Sequence, residues 1–156
     1  MKRVITIICS LAVVSLLFSA CCYCRQAALL AAPIHGTEWT LIEYRTQPFE
    51  AGDGYRLVFN TQDSTASGRG DCNSFMSRYS LDGNKRLKIN HIAITRAMCA
   101  NDKMERDYLN MLEQADGYSI DGKLLMLLHE GELISVFDAK SFVPDKKAAR
   151  KRLGKK

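Results

Sequence analysis

Two stretches of the chain carry the residue types that do chemistry. Residues 67–79 read SGRGDCNSFMSRY, and residues 95–100 read TRAMCA. Together they offer two cysteines, Cys72 and Cys99, an Asp, an Asn and a glycine-rich entry. A cysteine pair can be a covalent bridge, a metal site or a source of a nucleophile. A nucleophilic thiol needs a neighbouring base that lowers its pKa, and the sequence nominates none. A closed zinc site needs four N or S ligands at short spacings. Cys72 and Cys99 bring no such companions, and His35, His91 and His129 are scattered along the chain. Cys22 and Cys24, next to Cys21, either hold a soft metal such as Cu(I) or belong to an N-terminal tether. Arg69-Gly70-Asp71 spells an adhesion tripeptide but overlaps a turn, and Asn73 suits bonding to the backbone around that turn. The glycines lack the strand–loop–helix setting and the Lys of a phosphate loop.

The compartment decides what thiols do, and the start of the chain bears on it. Residues 1–20 read MKRVITIICSLAVVSLLFSA, a short positive region followed by an apolar run. This is the pattern of a bacterial export signal, too short for a comfortable spanning helix. Ser19-Ala20-Cys21 is similar to a lipobox, with Phe18 where an aliphatic residue is usual. On that reading residues 1–20 are a lipoprotein-type signal peptide and Cys21 is the first mature residue and carries lipid. Residues 21–35 form a tether, 36–143 one domain, and 144–156 a basic tail. The protein is expected in the cell envelope, facing the periplasm or at the outer membrane, where thiols oxidise.

The formal charge of +5 does not describe the domain. Lys2 and Arg3 belong to the signal, and DKKAARKRLGKK at the C-terminus contributes +6, leaving −3 for the rest. Such a run is ordinarily solvated and disordered, with contact to anionic head groups as the sharper option. The acidic remainder and export both argue against nucleic acid as a partner.

The elements that must position the motifs read as short strands and one helix. TEWTLIEY alternates, with Trp39 and Leu41 on one side. Pro48 and the glycines after it make a loop. Tyr55, Leu57 and Phe59 face one way in a second strand, and residues 65–70 and 75–79 continue extended. Residues 87–89 and 92–95 read as two further short strands. NDKMERDYLNMLEQA places Met104, Tyr108, Met111, Leu112 and Ala115 on one helical face. Asp102 reads as its N-cap, with Glu105 as capping-box partner, and Gly117 as its stop signal. Asp121-Gly122 and Glu130-Gly131 turn the chain between three closing strands, and Phe142-Val143 reads as a last one. The fold class is mainly β with one helix: an antiparallel sheet curled into a small barrel or half-barrel, with the helix over one end.

In this order GTEWTL, SGRGDCNSFMSRY, TRAMC, the helix and LLMLLHEGELISVF resemble the META domain family, the HslJ-like modules, over roughly residues 36–137. The motif residues are Gly68, Asn73, Phe75, Tyr79, Thr95 and Met98. Asp71 and Ser77 stand where the family commonly has Gly. The Asp71 position is read as a left-handed turn residue, and Ser77 as a less tight contact. The resemblance implies a small β-rich fold with a disulfide matching Cys72 and Cys99, which agrees with an oxidising compartment. Closing that loop would stabilise by about 2–4 kcal/mol.

The resemblance implies no catalytic activity, and no Ser/His/Asp order, paired carboxylates or cofactor fingerprint is legible. The expected function is therefore a non-enzymatic, membrane-anchored envelope lipoprotein with a binding or stress-related role. It needs no cofactor or metal. It meets the membrane through its N-terminal lipid and binds an unidentified protein or small molecule. The alternative is a periplasmic protein that carries a small ligand in a curled sheet or handles metal or redox chemistry through its cysteines.

Overall fold

The computed structural model describes residues 30–50, 52, 54–98 and 102–143. The leader, Cys21, Cys22, Cys24, Cys99 and the basic C-terminal segment lie outside these residues. The compact unit runs from Ala32 to Val143.

Alternating apolar residues generate the strands. They are β1 (Trp39–Tyr44), β2 (Gln47–Pro48), β3 (Arg56–Asn60), β4 (Thr65–Arg69), β5 (Ser74–Leu81) and β6 (Leu87–Ile94). Helix α1 (Asp102–Gln114) follows, then β7 (Gly117–Asp121), β8 (Leu124–His129) and β9 (Glu132–Asp138). In β5 the alternation is complete: Phe75, Ser77 and Tyr79 are buried while Ser74, Met76, Arg78 and Ser80 are exposed, as a half-buried strand requires. Among the described residues nine strands form one antiparallel sheet in the order β6-β5-β4-β3-β1-β9-β8-β7, with β2 paired to β1. The first strand therefore lies between β3 and the last strand.

The sheet curls without closing. Its end strands approach at one corner, where Arg86 bridges Gly117. There Tyr118 N–H donates to Lys85 O (3.0 Å) and Leu87 N–H to Asp116 O (3.1 Å). Helix α1 packs against β6 and turns Glu105, Tyr108, Met111 and Leu112 inward. Trp39, Leu41, Leu57, Phe59, Tyr108, Leu125, Leu127 and Phe137 are fully buried. Each such side chain contributes about 1.5–3 kcal/mol by leaving water.

Four details differ from the sequence reading. Residues 87–94 form one strand, because His91 adopts φ 56° and the register shifts opposite Met76 and Arg78. A bulge of this kind breaks the alternation without ending the strand. Gln47–Pro48 is a strand, reached through Arg45 (φ 49°) and Thr46 (φ 62°). Those are the dihedrals of a tight hairpin turn that is ordinarily written Asn-Gly. Phe142 N–H bonds Ala139 O in a turn, so Phe142-Val143 adds no strand. Gly117 opens β7 rather than ending the helix in a left-handed cap.

The packed unit also reaches into the stretch read as tether. Ala32 and Ile34 are buried. Ala32 N–H bonds Gly122 O (2.6 Å), and Trp39 Nε1 donates to Ile34 O (3.0 Å).

Candidate functional site

The motif residues converge where β4 turns into β5. Gly70 N–H donates to Asn73 O (2.8 Å), closing the turn, and Gly70 O accepts from Tyr55 N–H (3.1 Å). The buried Glu105 carboxylate rises from the first turns of α1 into this turn. Its Oε1 accepts Asn73 N–H (2.9 Å) and Cys72 N–H (3.3 Å), and its Oε2 accepts Asn73 Nδ2 (2.7 Å). A Cβ on Gly70 would sit 2.5 Å from Glu105 Oε1, so any other residue here would push the carboxylate out of its place.

Asn73 extends the network to a third segment. Its Oδ1 accepts Thr95 Oγ1–H (2.9 Å) and Ala97 N–H (2.7 Å). Its Nδ2 also donates to Ala97 O (3.2 Å), which engages both amide hydrogens. Thr95 Oγ1 in turn accepts Ser74 N–H (3.1 Å). Two side chains, each 5% exposed, thus tie the 70–73 turn, the segment after β6 and the helix. A buried carboxylate is tolerable only with such charge-assisted bonds.

The other motif residues are packing devices. A Cβ on Gly68 would lie 1.8 Å from Arg56 O and 2.8 Å from the Phe75 ring. The same Arg56 carbonyl accepts the Tyr108 hydroxyl (3.2 Å), and Phe75 meets Tyr108 edge-on at 6.0 Å. Tyr79 donates to Asn60 O (3.0 Å) and packs edge-on against Phe59 at 5.0 Å. Ser77 is buried at 2% exposure, not loosely packed, and its hydroxyl bonds Ala66 O (3.0 Å). Asp71 is not among the described residues with positive φ, so this turn does not use it as a left-handed residue. Met98 is fully exposed. Cys72 Sγ lies 3.9 Å from Ala97 O and 3.7 Å from Asn73 Nδ2; Cys99 is outside the described residues.

Two participants escaped the sequence reading. Glu105 read as a local cap, and its partners stand more than thirty residues away. Tyr55 read as one more inward strand residue, yet it adopts φ 53° with its ring edge-on to Phe49 (4.9 Å) and Tyr108 (5.3 Å). Among the described residues its buried hydroxyl has no hydrogen-bond partner. Only a glycine-flanked aromatic after a loop hinted at this.

Burial, then the charges of Asp71 and Glu105, push Tyr55 up to about 12. Burial likewise raises Tyr108. Both phenols hold their protons more tightly folded than unfolded. Their contribution is present below the unfolded value of about 10 and is lost as pH climbs through the folded values. For Tyr55 that window runs from the ordinary phenol value of about 10 to about 12. Tyr55→Phe is expected to flatten the alkaline limb of a stability-against-pH curve. At pH 7 it should change stability by less than about 1 kcal/mol, because the hydroxyl removed makes no bond. Tyr79→Phe should cost about 1 kcal/mol at pH 7 for its lost bond. Urea unfolding of both variants checks this; equal losses would refute it.

The histidines do not join the network. His91 Nδ1 faces Asn90 Oδ1 (2.9 Å) and His129 Nδ1 faces Asp116 (3.2 Å). Among the described residues no three His, Cys, Asp or Glu side chains come together as metal ligands. Among them, too, no helix is long and apolar enough to cross a membrane.

The family model of the META domain matches residues 32–141. An NMR structure of a protein from Burkholderia xenovorans is 22% identical, with a TM-score of 0.56 over 70% of this chain and 85% of that one. The crystal structure of a DUF4847 family protein from Bacteroides vulgatus is 15% identical. It has a TM-score of 0.56 over 70% of this chain and 96% of that one. These two are likenesses of fold. No curated protein matches the chain.

Proposed function

The chain belongs to the META domain family, and on that premise we propose that it is a non-enzymatic envelope lipoprotein whose META domain is a rigid binding scaffold. The observation that carries this reading is the engagement of the motif's polar groups with one another. Asn73, Thr95 and Glu105 hold three segments in register, which is an architectural duty. Catalytic machinery would instead aim such groups at an open cleft.

In this reading Cys72 and Cys99 form a disulfide that fastens the same corner covalently. The Cys72 sulfur faces the carbonyl of Ala97, two residues before Cys99. Cys21 carries the lipid, the preceding residues are removed, and the domain works at the membrane surface under envelope stress. The scaffold reading is preferred to the alternative of a small ligand carried in the curl because Trp39, Phe59, Tyr108 and Phe137 are buried there.

The test is the mass of the N-terminal peptide from membranes of the producing cell, with thiol counting of the same sample. A diacylglyceryl-modified Cys21 and no reactive thiol at positions 72 and 99 until reductant is added are expected. An unmodified N-terminus beyond residue 21 would overturn the anchoring, and two free thiols would overturn the bridge.

A further inference from the structure

Acidic side chains outnumber basic ones between Ala32 and Val143, yet the outer face of β3–β6 carries the opposite sign. Directly paired residues share a face, so the register gives its rows. Val58, Ser67, Met76 and Ala93 lie side by side across four strands. On one side of this row Arg56 pairs with Arg69, and on the other Arg78 stands opposite Thr65 and Asn90, with Lys88 beyond it opposite Ser80. None of the outward positions on these strands is Asp or Glu.

The middle row is apolar but for Ser67, with Met76 at 59% exposure. Of the cations, Arg56 is matched by Glu38 (3.4 Å). Asp63, whose carboxyl feels the charge of Arg78, is bonded to the Thr65 amide and hydroxyl. Among the described residues no carboxylate lies within ion-pair distance of Arg69, Arg78 or Lys88. An apolar ridge flanked by unpaired cations is the pattern of a surface that lies on a bilayer, its apolar part at the acyl boundary and its charges among the head groups.

We propose that this face of β3–β6 docks onto a bilayer through anionic phospholipid head groups, with Arg69, Arg78 and Lys88 making the charge contacts and Met76 entering the interface. This deepens the reading of a membrane-surface scaffold and rests on it. A chain leaving the unit at Ala32 toward a lipid at Cys21 is short enough to hold the face within reach of the membrane. At about 3.3–3.6 Å per residue, eleven residues span at most roughly 35–40 Å.

The experiment is co-sedimentation of unlipidated protein, residues 26–156 and 26–143, with phosphatidylcholine vesicles with or without one quarter phosphatidylglycerol. The unit keeps its own core and motif network in both. The shorter form separates the sheet face from the basic tail. Binding of residues 26–143 to the anionic vesicles is expected, weakened by high salt. In the Arg69→Gln/Arg78→Gln/Lys88→Gln variant the partition coefficient should fall roughly a hundredfold, with an unchanged melting curve. The Arg69→Lys/Arg78→Lys variant should keep binding.

Equal binding to both vesicle types, or an unaffected triple variant, would overturn the proposal. So would retention on a soluble polyanion such as heparin without vesicle binding. Because the protein carries no lipid here, a negative result leaves the anchoring at Cys21 to its own mass measurement.

Discussion

Gly68→Ala is expected to destabilise the domain by on the order of 3–5 kcal/mol, enough to unfold a marginal domain at 37 °C. The added methyl would sit 1.8 Å from Arg56 O, a backbone atom in the adjacent strand. Nothing flexible can yield, so β3 and β4 must separate. Two further losses follow from that movement. Arg56 O is the acceptor of the buried Tyr108 hydroxyl, and Phe75, 2.8 Å from the new Cβ, is pressed toward the same ring. The control is Gly83→Ala, where nothing lies within 4 Å of the added carbon and φ is not positive. That change should stay within about 0.5 kcal/mol. Thermal and urea unfolding of both proteins measures the contrast. Indistinguishable midpoints would show that the β3–β4 approach is looser than described.

The second large effect is at Glu105. Glu105→Ala leaves Cys72 N–H, Asn73 N–H and one Asn73 amide hydrogen without the acceptor they share. Hydrogen bonds to a charged group contribute about 1.5–3 kcal/mol each, less than additively within one network. A loss of about 3–5 kcal/mol is expected, or a melting temperature lower by roughly 10–20 °C. Glu105→Gln should not rescue it. A glutamine oxygen can serve the backbone amides or Asn73 Nδ2, and its own NH2 then points at the remaining donor. Asn73→Ala and Glu105→Ala combined should cost clearly less than the sum of the single losses. Additive losses would mean the two side chains act separately.

The sequence shows the fold through local signals and hides the network because its parts are remote. Alternation in β3 and β5 and the Tyr108–Met111–Leu112 stripe in α1 follow from two periods, two and 3.6 residues. The turns at Gly122 and Gly131 announce themselves by residue type. The Arg45-Thr46 turn does not, because two ordinary residues are held at positive φ by the pairing of β1 with β2. The bulge at His91 is set by β5, so β6 alone reads as two strands. For the candidate site, the motif positions around Cys72 and Asn73 were legible through the family resemblance. Glu105 was legible only as a helix-end acid, since a local cap explains it equally well until the fold brings residue 73 beside it. Ala32 and Ile34 looked like spacer because a short small-residue segment has no period to betray burial.

The placement of β1 between β3 and β9 has a kinetic consequence. Thr40 lies opposite Asp138 and Leu41 opposite Phe137, so the opening strand acquires its second neighbour only when nearly the whole domain has been synthesised. Contacts that distant along the chain slow folding to the millisecond-to-second range of β-rich topologies. A chain that lacks β9 leaves β1 as an open edge of the β6-β5-β4-β3-β1 sheet, with its backbone donors and acceptors unpaired on that side. The two halves of the sheet, β6-β5-β4-β3-β1 and β9-β8-β7, therefore join only once β9 is available to pair with β1.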